Sequence, residues 1–330
     1  MDSNLRIVWA VDPNERGDTA LHHRSRKVLR RLLGISAENV VEPVYVFRIS
    51  TAVTTDLGAH WRKELVEAAE EALRRFLRHA KIPGLSEPRV LVSTSSSYRR
   101  ATGALSEYAA RTGADLVVAQ THGRSGFGRF VLGSFAETLL LLAKTPVLLV
   151  NPTTHVPKTI ANILFPTDFG RSAANQFREV LDLANRFGAK VTLLHVIDHE
   201  SEAVLLAGIA GPAPILPDHR VDRIHRAKKH AHAWEEVANR HGITLDFVLR
   251  EHARNPGEEI LTIADRVNAG LIAMQTNAGT LSATLLGSNT RHVVRKAHCP
   301  VWILKPAPHR PLPIARPDLL GRSTGPEFRA

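Results

Sequence analysis

The sequence predicts an α/β protein made of two copies of one doubly wound domain with a parallel sheet. Two observations carry this prediction. Short apolar runs alternate with longer amphipathic segments along the chain, and the whole pattern occurs twice. Apolar runs without polar alternation are typical of strands buried on both faces, as in parallel sheets covered by helices. The length of 330 residues agrees with two domains of roughly 150 residues each.

Three pairs of similar segments establish the repeat. Each pair is separated by 154 or 155 residues, and the one-residue difference places a deletion in the second copy before its Gly-Ser pair. The pairs are 115–121 with 270–276, 133–134 with 287–288, and 145–152 with 299–306. Agreement at so many points favours a tandem duplication over chance.

The first copy opens with an apolar strand that ends at Asp12, and a helix then separates each strand from the next. The longest helix carries Leu65, Ala69 and Leu73 on one face, at the spacing of an α-helix. The predicted strands are 5–11, 40–47, 89–93, 114–120 and the apolar part of 145–152. The predicted helices are 22–33, 61–79, 101–111 and 134–143.

The second copy repeats this order, interrupted by an apolar, proline-containing stretch at 200–222 that suits a surface insertion or a lid. Its predicted strands are 162–165, 190–196, 245–250, 271–275 and 301–304, and its predicted helices are 173–187, 223–241, 258–267 and 290–297. We therefore expect a first domain over 1–153, a second domain over 154–306, and a disordered Pro-rich tail over 307–330.

Composition narrows the classes of partner. Lys and Arg total 43 against 32 Asp and Glu, and the net charge of +11 favours an anionic partner. The excess is spread over both copies and the tail, and aromatic residues are only 5% of the chain, so nucleic acid is not expected. The single cysteine, the absence of a membrane-spanning apolar run and the lack of a secretory signal predict a cytoplasmic protein. The 17 histidines lack the spacing of a zinc site, so no metal is expected.

A glycine-rich segment follows the fourth strand of the first copy, and Gly133 and Ser134 begin the next helix. Ligands of open parallel sheets bind at the carboxyl ends of the strands, where glycines and a helix N-terminus favour phosphate. Arg124 adds a charged donor. The alternative is that the glycines only shape a turn and Ser134 only caps the helix. The residues required by P-loop and Rossmann motifs are missing.

Segment 115–150 resembles the C-terminal half of a universal stress protein domain, and 163–169 with 193–198 resembles the N-terminal half. This resemblance covers about residues 5–305 of the chain. It implies two flavodoxin-like, Rossmann-like α/β domains, each with a five-stranded parallel sheet. It also implies pairing through the last strand, which lets the two copies pack as an intramolecular pseudo-dimer and leaves a homodimer open.

Some members of that family bind ATP through Gly, two residues, Gly, nine residues and Gly-Ser/Thr. Gly123, Gly133 and Ser134 match this motif, whereas Gln120 replaces its first glycine and is expected to crowd the ribose. The resemblance places the ribose by Asp12, the base by Val46, and the phosphates by the loop that holds Arg124 and Ser125. The corresponding residues of the second copy are Asp168, Val196, Gly287 and Ser288, but its loop is shorter and lacks the arginine.

The resemblance implies a stress-response or signalling protein that binds ATP in its first domain, with Mg²⁺ as an optional companion of the nucleotide. A second hypothesis is a module that binds a protein partner, a lipid or another small molecule, with decayed nucleotide sites. No general base is recognisable, so we expect at most slow hydrolysis of ATP and assign no catalytic residue.

Overall fold

The computed structural model has ten strands and eight helices in the residues that it describes. Those residues are 4–14, 19–33, 38–49, 59–78, 80, 82, 84–95, 97–121, 132–170, 172–198, 219–253, 255–275 and 286–305. The first half contains β1 (Arg6–Ala10), α1 (Thr19–Leu33), β2 (Val40–Arg48), α2 (Ala59–Arg78), β3 (Arg89–Ser93), α3 (Tyr98–Arg111), β4 (Leu116–Gln120), α4 (Ser134–Leu142) and β5 (Val147–Val150). The second half contains β6 (Asn162–Pro166), α5 (Ala173–Phe187), β7 (Lys190–Asp198), α6 (His219–Arg240), β8 (Leu245–Ala253), α7 (Pro256–Arg266), β9 (Leu271–Gln275), α8 (Ser288–Lys296) and β10 (Val301–Leu304).

The sequence-based elements are confirmed, because each predicted strand and helix is present with bounds that differ by at most four residues. Within each half, the five strands are parallel to one another, in the order β3-β2-β1-β4-β5 and β8-β7-β6-β9-β10. This order reverses direction beside the first strand, which is the arrangement of a doubly wound flavodoxin-like sheet. The predicted fold class is therefore correct.

The two halves share one continuous sheet of ten strands, because β5 pairs with β10 in antiparallel register. At the centre of this junction Leu148 pairs with Trp302, the residue 154 positions later. Val147 pairs with Ile303, and Leu149 pairs with Val301. Equivalent residues of the two copies thus face each other about a pseudo-two-fold axis, as the predicted pseudo-dimer requires.

Helices cover both faces of the sheet. One apolar layer packs under α1, α2, α5 and α6, and representative buried side chains are Leu29, Leu73, Phe177 and Trp234. The other packs under α3, α4, α7 and α8, and representative buried side chains are Leu105, Leu139, Ile260 and Val293. Both layers run through both domains, so the strands are buried on two faces, in agreement with their continuous apolar character.

None of the helices within the described ranges combines the length and the apolar character that a membrane span needs. Most of the segment at 200–222 and the expected tail over 307–330 lie outside the described residues.

Candidate functional site

Asp12 lies just beyond the carboxyl end of β1 and shapes the loop that follows. Its Oδ1 accepts a hydrogen bond of 2.9 Å from the Asn14 backbone N–H. The Val11 N–H donates to the Val44 carbonyl at 3.0 Å, which holds this loop against β2. The Asn14 side chain in turn donates to the Tyr45 hydroxyl at 3.3 Å. Asp12 is therefore held at the carboxyl ends of the strands, next to β2, which carries Val46.

Gln120 ends β4, and its side chain packs against α1. The amide Nε2 donates to the Ser25 hydroxyl at 3.0 Å and lies 3.1 Å from Nδ1 of the buried His22. The side chain is thereby anchored on the α1 face of the sheet. This anchoring supplies a physical reason why a glutamine can occupy the position where the ATP motif has glycine.

The start of α4 forms the next part of this edge. The Gly133 N–H donates to the Thr121 carbonyl at 2.7 Å, which ties the helix start to the end of β4. Gly133 is the N-cap in an extended conformation, and Ser134 is the exposed first residue of the helix. The alternative in which Ser134 is itself the cap is thus wrong. The predicted residues Gly123, Arg124 and Ser125 lie outside the described residues.

In the second domain, the four predicted residues line a single cleft of about 250 Å³. Asp168 follows β6, Val196 lies near the end of β7, and Gly287 and Ser288 begin α8. Pairing between β7 and β8 shifts register between Val196 and Asp198, so the sheet is irregular beside the cleft. The remaining lining residues are Pro166, Thr167, Leu194, Pro256, Ile260, Met274, Gln275, Asn289 and Thr290. The cleft therefore combines an apolar wall with hydroxyl, amide and carboxylate groups.

A strained turn positions Asp168. Its Oδ1 accepts a 2.8 Å hydrogen bond from the Gly170 N–H, and a Cβ at Gly170 would lie 2.9 Å from that same oxygen. Phe169 between them has a φ of 56°, a left-handed conformation that costs roughly 1–2 kcal/mol for a residue with a side chain. Its ring stacks on His230, with centroids 5.3 Å apart, and meets Trp234 edge-on at 5.0 Å. These contacts offset the strain and hold the turn.

His195 belongs to the same aromatic cluster, on the α6 side of the sheet. Its ring centroid lies 5.2 Å from that of Phe169, and its Nδ1 donates to the Thr167 carbonyl at 2.8 Å. Burial lowers the pKa of His195 more than this hydrogen bond raises it, and the nearby Arg223 lowers it further. The imidazole is therefore neutral at pH 7 and acts as a support for the turn.

Gln275 is a cleft residue that the sequence reasoning missed. Its Oε1 accepts a 3.1 Å hydrogen bond from the hydroxyl of Ser172, the N-cap of α5. Its carbonyl accepts a bond of 3.3 Å from Thr290 in α8. Gln275 occupies the position equivalent to Gln120, 155 residues later. That repetition is the signal that could have identified it. In the structure, Gln120 binds Ser25 within α1, and Gln275 binds Ser172 at the start of α5.

Within the described part of the chain, no three His, Cys, Asp or Glu side chains are grouped closely enough to hold a metal ion. The described residues of the two edges offer hydrogen-bonding groups and helix N-termini. Both suit an anionic or polar ligand.

Comparison with known proteins gives a consistent result. The chain is 28% identical over 146 residues to universal stress protein MJ0531 of Methanocaldococcus jannaschii, covering 43% of this chain and 81% of that protein. It is 28% identical over 151 residues to MJ0577 of the same organism, covering 43% and 93%. A universal stress protein structure from Archaeoglobus fulgidus superposes with a TM-score of 0.60 at 20% identity, covering 91% of this chain and 96% of that one. The similarity to this solved structure shows a shared fold only.

The sequence model of the Universal stress protein family matches residues 4–151 and again residues 159–305. The two matches account for most of the chain and coincide with the two halves of the ten-stranded sheet. The chain therefore belongs to the universal stress protein family and contains two of its domains in tandem.

Proposed function

We propose that this is a cytoplasmic stress-response protein that binds an adenine nucleotide, ATP, at the carboxyl edge of the sheet in its first domain. The observation that carries the proposal is the start of α4, where Gly133 caps the helix and the exposed Ser134 begins it beside the end of β4. The first N–H groups of a helix have no partner within it and are oriented to bind phosphate oxygens.

The first domain is preferred because its loop keeps Gly123 at the motif spacing and has Arg124 next to it, whereas the loop of the second domain is one residue shorter and lacks the arginine. In this arrangement the Asp12 carboxylate takes the ribose hydroxyls, and the backbone near Val46 takes the base. The parallel pairing of β1 with β2 supports these positions, because it places the carboxyl ends of the two strands side by side. Gln120 was expected to crowd the ribose; we propose that its hydrogen bond to Ser25 of α1 holds the side chain away from the nucleotide.

The proposed activity is binding, with occupancy altering conformation or the choice of protein partner. No residue is assigned as a general base, so hydrolysis is expected to be slow at most. Mg²⁺, where present, accompanies the phosphates of the nucleotide.

A second candidate function rests on the cleft of the second domain. Its volume of about 250 Å³ and its apolar wall of Val196, Ile260 and Met274 suit a small molecule with a polar end that Asp168 and Gln275 can bind. The chain would then be a small-molecule or lipid-binding module.

Isothermal calorimetry with ATP, with and without Mg²⁺, tests the proposal on the full chain. We expect one ATP per chain, binding abolished by Gly133→Val, and binding preserved by the matched variant Gly287→Val. Each change adds a branched side chain at the N-cap of the equivalent helix. Absence of ATP binding, or loss of binding in Gly287→Val alone, would refute the assignment to the first domain.

A further inference from the structure

Glu137 and Arg291 occupy the same position in the two copies, 154 residues apart. The Glu137 N–H donates to the carbonyl of the N-cap Gly133 at 3.0 Å, and the Arg291 N–H donates to the carbonyl of the N-cap Gly287 at 3.0 Å. Each residue thus lies one helical turn after the Gly-Ser pair of its own domain. The same position of the repeat is therefore acidic in the first domain and basic in the second.

These two residues meet across the pseudo-two-fold axis. Nη2 of Arg291 lies 2.8 Å from Oε1 of Glu137, and the two side chains are 39% and 34% exposed. The pair therefore joins the first turn of α8 in the second domain to the first turn of α4 in the first. Because both groups are partly shielded from water, their charges act over a longer distance than those of a fully exposed pair.

The charge of Glu137 has two opposing effects at the start of α4. It interacts favourably with the positive end of the helix dipole, but it repels an anion bound at the same end. The guanidinium of Arg291 compensates this repulsion. In a symmetric pair of identical domains, Glu137 would instead face a second glutamate, and two negative charges would adjoin the helix starts.

We infer that Arg291 is a positioning residue for the anion site of the first domain, supplied from the second domain. It neutralises Glu137, so that the first turn of α4 accepts a phosphate. This inference rests on the proposed nucleotide site and deepens it, because the second domain becomes a functional part of that site in addition to a packing partner.

The test measures binding of ATP and of adenosine to the full chain and to Arg291→Met, Glu137→Gln and the double variant. Adenosine has no phosphates, so an effect on packing alone changes both ligands equally, whereas an electrostatic effect changes ATP only. We expect Arg291→Met to weaken ATP binding roughly three- to tenfold at low salt, with adenosine unchanged. The double variant should return close to wild type because neither charge remains.

Arg295→Met is the matched control, since it removes the same charge from the last turn of the same helix. We expect it to change ATP binding by less than about twofold because it is further from the helix start. Thermal unfolding of each variant monitors the fold.

The outcomes separate the two proposals. If the wild-type chain binds no ATP, the proposed function fails and the inference fails with it. If the wild type binds ATP but Arg291→Met leaves its affinity unchanged, weakens adenosine equally, or is not rescued by Glu137→Gln, only the role of Arg291 is overturned.

Discussion

In each domain, the residue after the last strand binds the C-terminal end of a helix of the other domain, but the two residues differ chemically. After β5, the Asn151 amide donates to the Val294 and Ala297 carbonyls at the end of α8, at 3.0 and 2.9 Å. After β10, Lys305 occupies the equivalent position, and its Nζ donates to the Leu140 carbonyl of α4 at 2.5 Å. A neutral amide thus binds the C-terminal end of one helix, and an ammonium group binds that of the other. Once both domains lie in one chain, equivalent residues are free to diverge and become complementary.

The first helices differ in the same way. Where α1 has Arg24 and Lys27, α5 has Glu179 and Asp182, 155 residues later. At these two positions α1 is basic and α5 is acidic. The guanidinium of Arg26 in α1 lies over the ring of Phe76, 4.8 Å from its centroid.

The largest expected effect comes from removing the Asn151 amide, which binds the end of α8. Asn151 is almost fully buried, and its Oδ1 also accepts hydrogen bonds from the Thr153 N–H at 2.8 Å and the Thr154 hydroxyl at 3.1 Å. Asn151→Leu leaves these partners and the helix carbonyls unsatisfied. We expect a loss of roughly 3 kcal/mol in the free energy of unfolding, measured by urea denaturation. A loss below about 1 kcal/mol would show that the junction does not depend on this amide.

The contact of Lys305 with the end of α4 predicts that the stability of the protein depends on pH. Burial lowers the pKa of Lys305 to about 8, while the unfolded chain keeps the ordinary value of 10.5. The folded state therefore disfavours the ammonium form, and the stability contributed by this group is absent below pH 8 and grows as pH rises towards 10.5.

Comparison of the wild type with Lys305→Met isolates this effect from other titrating groups. We expect the stability of the wild type, relative to the variant, to rise by roughly 2 kcal/mol between pH 7.5 and 10.5. A difference that stays constant over this range would contradict burial of the charge. Asn151→Leu is the control from the other junction and should show no such slope.

A smaller effect is expected from the acidic face of α5. Burial, with the nearby Asp182, raises the pKa of Glu179 from its ordinary value of 4.5 to about 7. The ionised form is disfavoured in the folded state, so stability is lost as pH rises from about 4.5 through 7. We expect Glu179→Gln to be more stable than the wild type at pH 8 by roughly 1 kcal/mol, and equally stable at pH 4. Arg24→Gln in α1, at the equivalent position 155 residues earlier, is the matched control.

Most of the fold was predictable from the sequence because apolar periodicity reports burial directly. The continuous strand at 147–150 and the amphipathic helix at 61–79 are clear in the residues themselves. The contacts of Gln120 with α1 were not predictable, since they depend on which face of the sheet its side chain takes. Gly133 rather than Ser134 became the cap because backbone dihedral angles decide that role.

The pairing of Glu137 with Arg291 had a signal in the sequence that went unused. Opposite charges stand 154 residues apart in a repeat whose last strands were expected to pair. Equivalent positions near a two-fold axis face each other, so the contact follows once the axis is placed at Leu148 and Trp302. Locating the axis required the register, and the register came only from the structure.

The central claim is that the duplicated domains have become unequal, with the nucleotide in the first. Hydrogen exchange of the full chain with and without saturating ATP tests it most directly, by comparing the starts of α4 and α8. We predict that ATP slows exchange over 134–142 and leaves 288–296 unchanged. Protection confined to 288–296, or no protection at either helix, would contradict the claim.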